Sequence, residues 1–164
     1  MILSQNEPPV LLSIGIMAWN EEASIVPMLT SLFAQSIFAH LAARHACCEV
    51  ICLANGCTDR TAAVAGEILA RMAREHPARA GLRVRVEDIA TPGRNNAWNR
   101  FVHEFSARET RFICLMDADI VFDRPDTLAL VLGELERNPR LGGASDTPVK
   151  NIAAKARPSW RERL

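Results

Sequence analysis

Net charge is missing from this sequence: lysine plus arginine number 19 and aspartate plus glutamate number 19. Proteins that bind nucleic acid through its phosphates need a basic face, so the zero balance speaks against nucleic acid as a partner. Long apolar runs are lacking too. The longest, Val10 to Met17, is interrupted by Ser13 and Gly15 and falls well short of the roughly 20 residues of a membrane span. The opening Met1-Ile2-Leu3-Ser4-Gln5-Asn6-Glu7 has no cationic cluster of the kind that starts a signal peptide. The expected location is therefore the cytoplasm, or the cytoplasmic face of a membrane in a longer parent.

No Cys-x-x-Cys occurs among Cys47, Cys48, Cys52, Cys57 and Cys114. An odd count, with Cys52 and Cys114 inside apolar strand-like runs, predicts reduced thiols serving as small hydrophobes. His40, His45, Cys47 and Cys48 stand close together, but no second ligand pair follows at a zinc-site spacing, and they are not taken as a metal site. Internal repeats and low-complexity tracts are absent as well.

What is present is a chain of 164 residues, 49% apolar and 23% charged, values that fit one folded domain. Val10 to Ile16 is short, β-branched and apolar, as a strand buried on both faces should be. Ile25, Met28, Leu29 and Leu32 then recur at helical spacing, and Pro27 confines the start of that helix to the neighbourhood of Ser24. Glu49 to Leu53 is a second strand, and Thr58 is the expected cap of a helix with the stripe Ala65, Ile68, Leu69 and Met72. Leu82, Val84 and Val86 alternate with Arg83, Arg85 and Glu87, which predicts a half-exposed strand near a sheet edge. Trp98, Phe101, Val102 and Phe105 give a third helical stripe, Phe112 to Met116 a further strand, and Leu128, Val131, Leu132 and Leu135 a helix stopped by Asn138-Pro139. A fifth strand is expected over Gly142 to Val149, and Asn151 to Leu164 reads as a basic tail cut off from its packing partner.

Strand and helix alternating in this way imply an α/β fold with a mostly parallel sheet and helices on both faces. Such sheets bind ligands beyond the carboxyl ends of their strands. Three polar clusters follow strands directly: Trp19-Asn20-Glu21-Glu22, Asn55-Gly56-Cys57-Thr58-Asp59 and Asp117-Ala118-Asp119. Each has an ordinary explanation by itself, as a helix N-terminus favoured by acids, a glycine turn with a cap, or a solvated strand end. Together they are expected to line one edge. Carboxylates two residues apart at a strand end suit Mg²⁺ or Mn²⁺ shared with phosphate oxygens. Asn55 can hydrogen-bond a base edge, and Gly93-Arg94-Asn95-Asn96 can meet a diphosphate with backbone N–H groups and a guanidinium.

The order of these segments resembles family 2 glycosyltransferases, which have the Rossmann-like GT-A fold. Ser13 to Glu22 is similar to the family's opening strand and Asn-Glu turn, and Val50 to Thr61 to its second-strand motif, usually Asp-Asp-Gly-Ser-Thr-Asp-Gly-Thr. Gly93-Arg94-Asn95-Asn96-Ala97-Trp98-Asn99 is similar to its Gly-Lys-x-x-Ala-Leu-Asn segment, and Asp117-Ala118-Asp119 to its Asp-x-Asp metal motif. The resemblance implies an inverting, hexosyltransferase-like enzyme that takes a sugar from a UDP- or GDP-sugar. By that pattern Asp119, with Asp117, would hold a divalent metal, Mg²⁺ or Mn²⁺. Asp117 would also sit near the ribose or donor sugar, Ala18, Trp19, Glu21 and Asn55 would line the nucleotide pocket, and Arg94 would approach the diphosphate or ribose.

Two departures qualify the resemblance. Ala54-Asn55 replaces the usual acidic pair, which leaves the base identity open. The family's acceptor half, with its catalytic base and often a membrane-associated segment, has no counterpart, and Asp146 stands too near the metal motif to be that base. The chain is therefore expected to be a single domain over residues 1–164, the donor-binding part of a longer protein. Two other readings stand beside this one: a non-catalytic nucleotide-binding module, and a haloacid-dehalogenase-type phosphohydrolase with Asp117 as nucleophile and Asp119 as acid/base. The second normally carries that motif on its first strand and uses a downstream lysine, whereas Lys150 and Lys155 are the only lysines here.

Overall fold

A computed structural model describes residues 8–147. The nine residues of strand β2 (Cys47–Asn55) are all buried, as the apolar run Val50–Ala54 at its centre requires of a strand covered on both faces. On one side β2 pairs in parallel with β1 (Val10–Ala18), and on the other with β3 (Leu82–Ile89). Strand β4 (Phe112–Asp117) pairs in parallel with the far side of β1, giving the order β3-β2-β1-β4. The alternating segment is thus an edge strand, as its pattern predicts. Sequence order reverses at β1, since the chain steps outward to β3 and returns to β4. A parallel sheet opens a crevice at such a reversal, outside the carboxyl ends of the strands.

Helices cover both faces. Helix α1 (Ile25–Phe33) and α2 (Ile37–Ala43) join α3 (Thr61–Glu75) and α5 (Thr127–Arg137) in one apolar layer, with Ile14, Ile16, Met28, Leu29, Leu32, Ile37 and Leu69 at its centre. The stretch Ile25–Ala43 is long and apolar enough to cross a membrane, but half of it is buried inside the fold. Helix α4 (Arg94–Arg100) covers the other face, where Ala97 and Phe101 pack on Ile51, Leu53 and Ile89. Gly15 permits this contact, because a Cβ there would stand 2.8 Å from the Phe101 ring.

Three expectations need correction. Thr58 does not cap α3; the Asp59 carboxylate accepts the Thr61 backbone N–H instead, at 3.0 Å, while the Thr58 N–H is turned toward Asn20. Trp98 is 48% exposed and not part of the apolar stripe. After α4 the helix widens into a π turn, Phe101–Phe105, closed by Ser106 N–H on the Phe101 carbonyl, so one helical period does not run through the segment. Residues 142–147 form no strand; a side chain at Gly142 or Gly143 would meet nothing within 4 Å among the described residues. The remainder of that expected strand and the Asn151–Leu164 tail lie outside the described residues.

At the opposite end of the sheet Glu49 is buried but compensated. It accepts from Ser13 Oγ, from the Ala107 N–H at 2.6 Å and from Arg85 at 3.3 Å. A buried carboxylate needs such partners to offset its lost hydration; here it ties β1, β2, β3 and the lead into β4 together.

Candidate functional site

A cleft of about 370 Å³ lies over the carboxyl ends of β1, β2 and β4. Met17, Ala18, Trp19 and Glu21 reach it from the end of β1, and Asn55 from the end of β2. Pro92, Gly93 and Arg94 form its wall at the start of α4, and Asp117, Ala118 and Asp119 close it at the end of β4. The structure thus brings together every site residue singled out from the sequence: Ala18, Trp19, Glu21, Asn55, Arg94, Asp117 and Asp119. Pro92 is the wall residue that sequence reasoning missed. Its signal is tertiary: a Cβ on Gly56, which holds φ +67°, would lie 2.6 Å from Pro92 Cβ. Only glycine adopts that φ freely and leaves that space.

Arg94 donates to both Asp117 oxygens, at 2.8 and 3.0 Å, from the first residue of α4 to the last of β4. Asp119 lies one step further out, exposed, with no hydrogen bond or ion pair among the described residues. Asn55 is 7% exposed, and its Oδ1 is the one buried side-chain oxygen or nitrogen without a partner among the described residues. A buried amide oxygen left in that state, facing a cleft, is able to accept a hydrogen bond from a ligand. The cleft therefore offers one guanidinium already neutralised by a carboxylate, the carboxylates of Asp119 and Glu21 without side-chain partners among the described residues, one unsatisfied amide and the exposed ring of Trp19, which is 64% accessible.

The loops after β1 and β2 are stitched to one another. Asn20, at φ +54°, accepts the Thr58 N–H on its side-chain oxygen at 2.8 Å. Glu22 accepts the Arg60 N–H at 3.1 Å. The hydrogen bond from the Thr61 hydroxyl holds the Asp59 carboxyl below the usual carboxylate range. Two of the thiols are held neutral: burial pushes Cys52 up to about 12 and Cys114 up to about 11. All five cysteines are free.

The family model for glycosyl transferase family 2 matches residues 13–162. Comparison with curated proteins gives no match. Among solved structures, S. aureus TarS 1–349 is similar with a TM-score of 0.58 and 18% identity, covering 87% of this chain and 39% of that one. The same protein in complex with UDP-GlcNAc gives a TM-score of 0.53 at 18% identity, covering 87% and 38%. Mannosyltransferase PcManGT from Pyrobaculum calidifontis, in complex with GDP-Man and Mn²⁺, gives 0.58 at 21% identity, covering 76% of this chain and 32% of that one. The chain spans less than half the length of these structures, and shares with them the parallel GT-A fold expected from its sequence. With the family match running from the first strand through the cleft residues, the chain belongs to glycosyl transferase family 2.

Proposed function

We propose that this chain is the donor-binding part of an inverting glycosyltransferase, one that takes a hexose from a UDP- or GDP-sugar with the help of Mg²⁺ or Mn²⁺. The observation that carries the proposal is the meeting of Asp117, Asp119, Arg94 and Asn55 in one cleft at the point where strand order reverses. UDP-GlcNAc bound to TarS, and GDP-Man with Mn²⁺ bound to PcManGT, support a nucleotide-sugar ligand for the same fold.

The donor set fits a hard divalent cation held jointly with a diphosphate. Among the described residues Asp119 is an exposed carboxylate with no competing partner, whereas Asp117 is already paired with Arg94. Among the described residues no group of three or more acidic, histidine or cysteine side chains could cage a metal alone. Mg²⁺ and Mn²⁺ are commonly bound by one or two carboxylates with phosphate oxygens and waters completing the shell. When bound, the cation supplies positive charge to the diphosphate as the glycosidic bond breaks.

The chain's own residues would do the rest. Asn55 would hydrogen-bond the base with its amide, and the Trp19 ring would cover an apolar face of the nucleotide. Arg94 would hand its N–H groups from Asp117 to a phosphate oxygen, freeing Asp117 for ribose or sugar hydroxyls. Inverting transfer also needs a base on the acceptor side. Asp146 is not among the residues of the cleft, so that role falls to acceptor-side residues not assigned in this chain. The phosphohydrolase alternative is weaker on geometry, because both Asp117 oxygens are engaged by Arg94 and the described residues include no lysine.

Titration calorimetry with UDP and GDP, each with and without Mn²⁺, tests the proposal. Metal-dependent binding of either supports it, and binding of neither overturns it.

A further inference from the structure

We infer that Thr61 and Asp59 are positioning residues, which shape the nucleotide wall of the cleft without touching its contents. The inference rests on the nucleotide reading of that cleft. Neither residue is part of the cleft surface. Three consecutive N–H groups of the turn after β1 nevertheless end on side chains of the loop after β2 and the first residue of α3: Asn20 on Cys57 Sγ at 3.4 Å, Glu21 on Thr61 Oγ1 at 2.8 Å, and Glu22 on Asp59 Oδ2 at 3.1 Å. The Thr61 hydroxyl in turn donates to Asp59 Oδ1 at 2.5 Å, so one buried hydroxyl is both acceptor for the turn and donor to the carboxylate.

A helix cap would need only the bond from the Thr61 N–H to Asp59. The second Asp59 oxygen and the Thr61 hydroxyl are spent on the other loop. The hold bears on the turn, because Trp19 is exposed and Asn20 adopts a left-handed backbone that asparagine tolerates better than most residues but less freely than glycine. Removing the hydroxyl leaves the Glu21 N–H without its acceptor and lets the segment Trp19–Glu21, one wall of the cleft, relax away from Asn55. Two strand ends that touch the ligand are thus fixed in register by two residues that do not.

The test compares the whole chain with Thr61→Val, which keeps the branched shape and loses the hydroxyl, and Thr61→Ser, which keeps the hydroxyl. Binding of UDP and GDP with Mn²⁺ is measured beside thermal melting and far-ultraviolet circular dichroism. Thr61→Val is expected to weaken nucleotide binding about tenfold while folded, the equivalent of about 1.4 kcal/mol, and Thr61→Ser to restore it. Should Thr61→Val fail to fold, Asp59→Asn takes its place; the exposed amide keeps one acceptor and cannot serve both loops, so the same loss is expected. Unchanged affinity in the folded variant overturns the inference while the nucleotide reading stands. Equal weakening by Thr61→Val and Thr61→Ser also overturns it, because the hydroxyl then does not matter. A wild-type chain that binds neither nucleotide overturns the nucleotide reading, and the inference with it.

Discussion

Arg94 and Asp117 form a forked contact across the cleft, one guanidinium nitrogen meeting both carboxylate oxygens at 2.8 and 3.0 Å. Their side chains are 67% and 45% exposed, and an ion pair so open to water is worth about 0–1 kcal/mol. The pair can be exchanged for a phosphate at little cost. It also divides the two aspartates at the end of β4 into one compensated and, among the described residues, one free.

That division predicts the outcome of neutralising Asp119. The Asp119→Asn variant keeps the shape and removes the free charge at an exposed position, so melting should shift little. Binding of UDP or GDP is expected to lose its Mn²⁺ dependence. Calorimetry that shows the same metal-dependent affinity in the variant would refute the role of Asp119.

Arg94→Ala should weaken nucleotide binding both with and without metal, because the lost group acts on the phosphates directly. It also leaves Asp117 uncompensated beside them. The expected loss is about tenfold or more, in the range of a charge-assisted hydrogen bond of about 1.5–3 kcal/mol. Stability should stay within about 0.5 kcal/mol of wild type. A large fall in melting temperature with unchanged affinity would make Arg94 structural.

Gly56→Ala introduces a Cβ at 2.6 Å from Pro92 Cβ, at a backbone φ of +67°. Both effects act in the folded state, and together they should destabilise by about 1–3 kcal/mol. The Pro92–Arg94 wall must shift to make room, so nucleotide affinity should fall with stability. Denaturant melts beside nucleotide titration check the coupled loss.

Acid should loosen the clasp between the two loops. Hydrogen bonding by Thr61 lowers the Asp59 carboxyl, and the Arg44 side chain lowers Glu136 where α2 meets α5. A carboxyl lowered on folding adds stability that is fully present above its unfolded value of about 4. That stability is lost as pH falls through the depressed folded value. Thermal melts should therefore hold steady from neutral pH to about pH 4 and decline below. Asp59→Asn should decline less steeply, and an identical profile would exclude Asp59 from the acid response.

Local pattern alone determined much of this protein. The apolar runs at Val10, Val50 and Phe112 form strands, the stripes beginning at Ile25, Ala65 and Leu128 form buried helix faces, and the polar clusters fall at strand ends. Burial imposes periods of two and 3.6 on the chain wherever it packs, so these features are written residue by residue. Spacing could not choose between Thr58 and Asp59 at the head of α3, because that choice depends on Asn20 and Glu22, more than 35 residues away. Trp98 has helical spacing from Phe101 yet faces outward from α4, and residues 142–147 form no strand, outcomes that local spacing does not decide. Tertiary structure alone decided the order β3-β2-β1-β4, and with it the meeting of Arg94 and Asp117 from opposite ends of a 23-residue separation. Strand order is a contest among non-local pairings of similar apolar segments, which the whole sheet resolves at once and no single segment encodes.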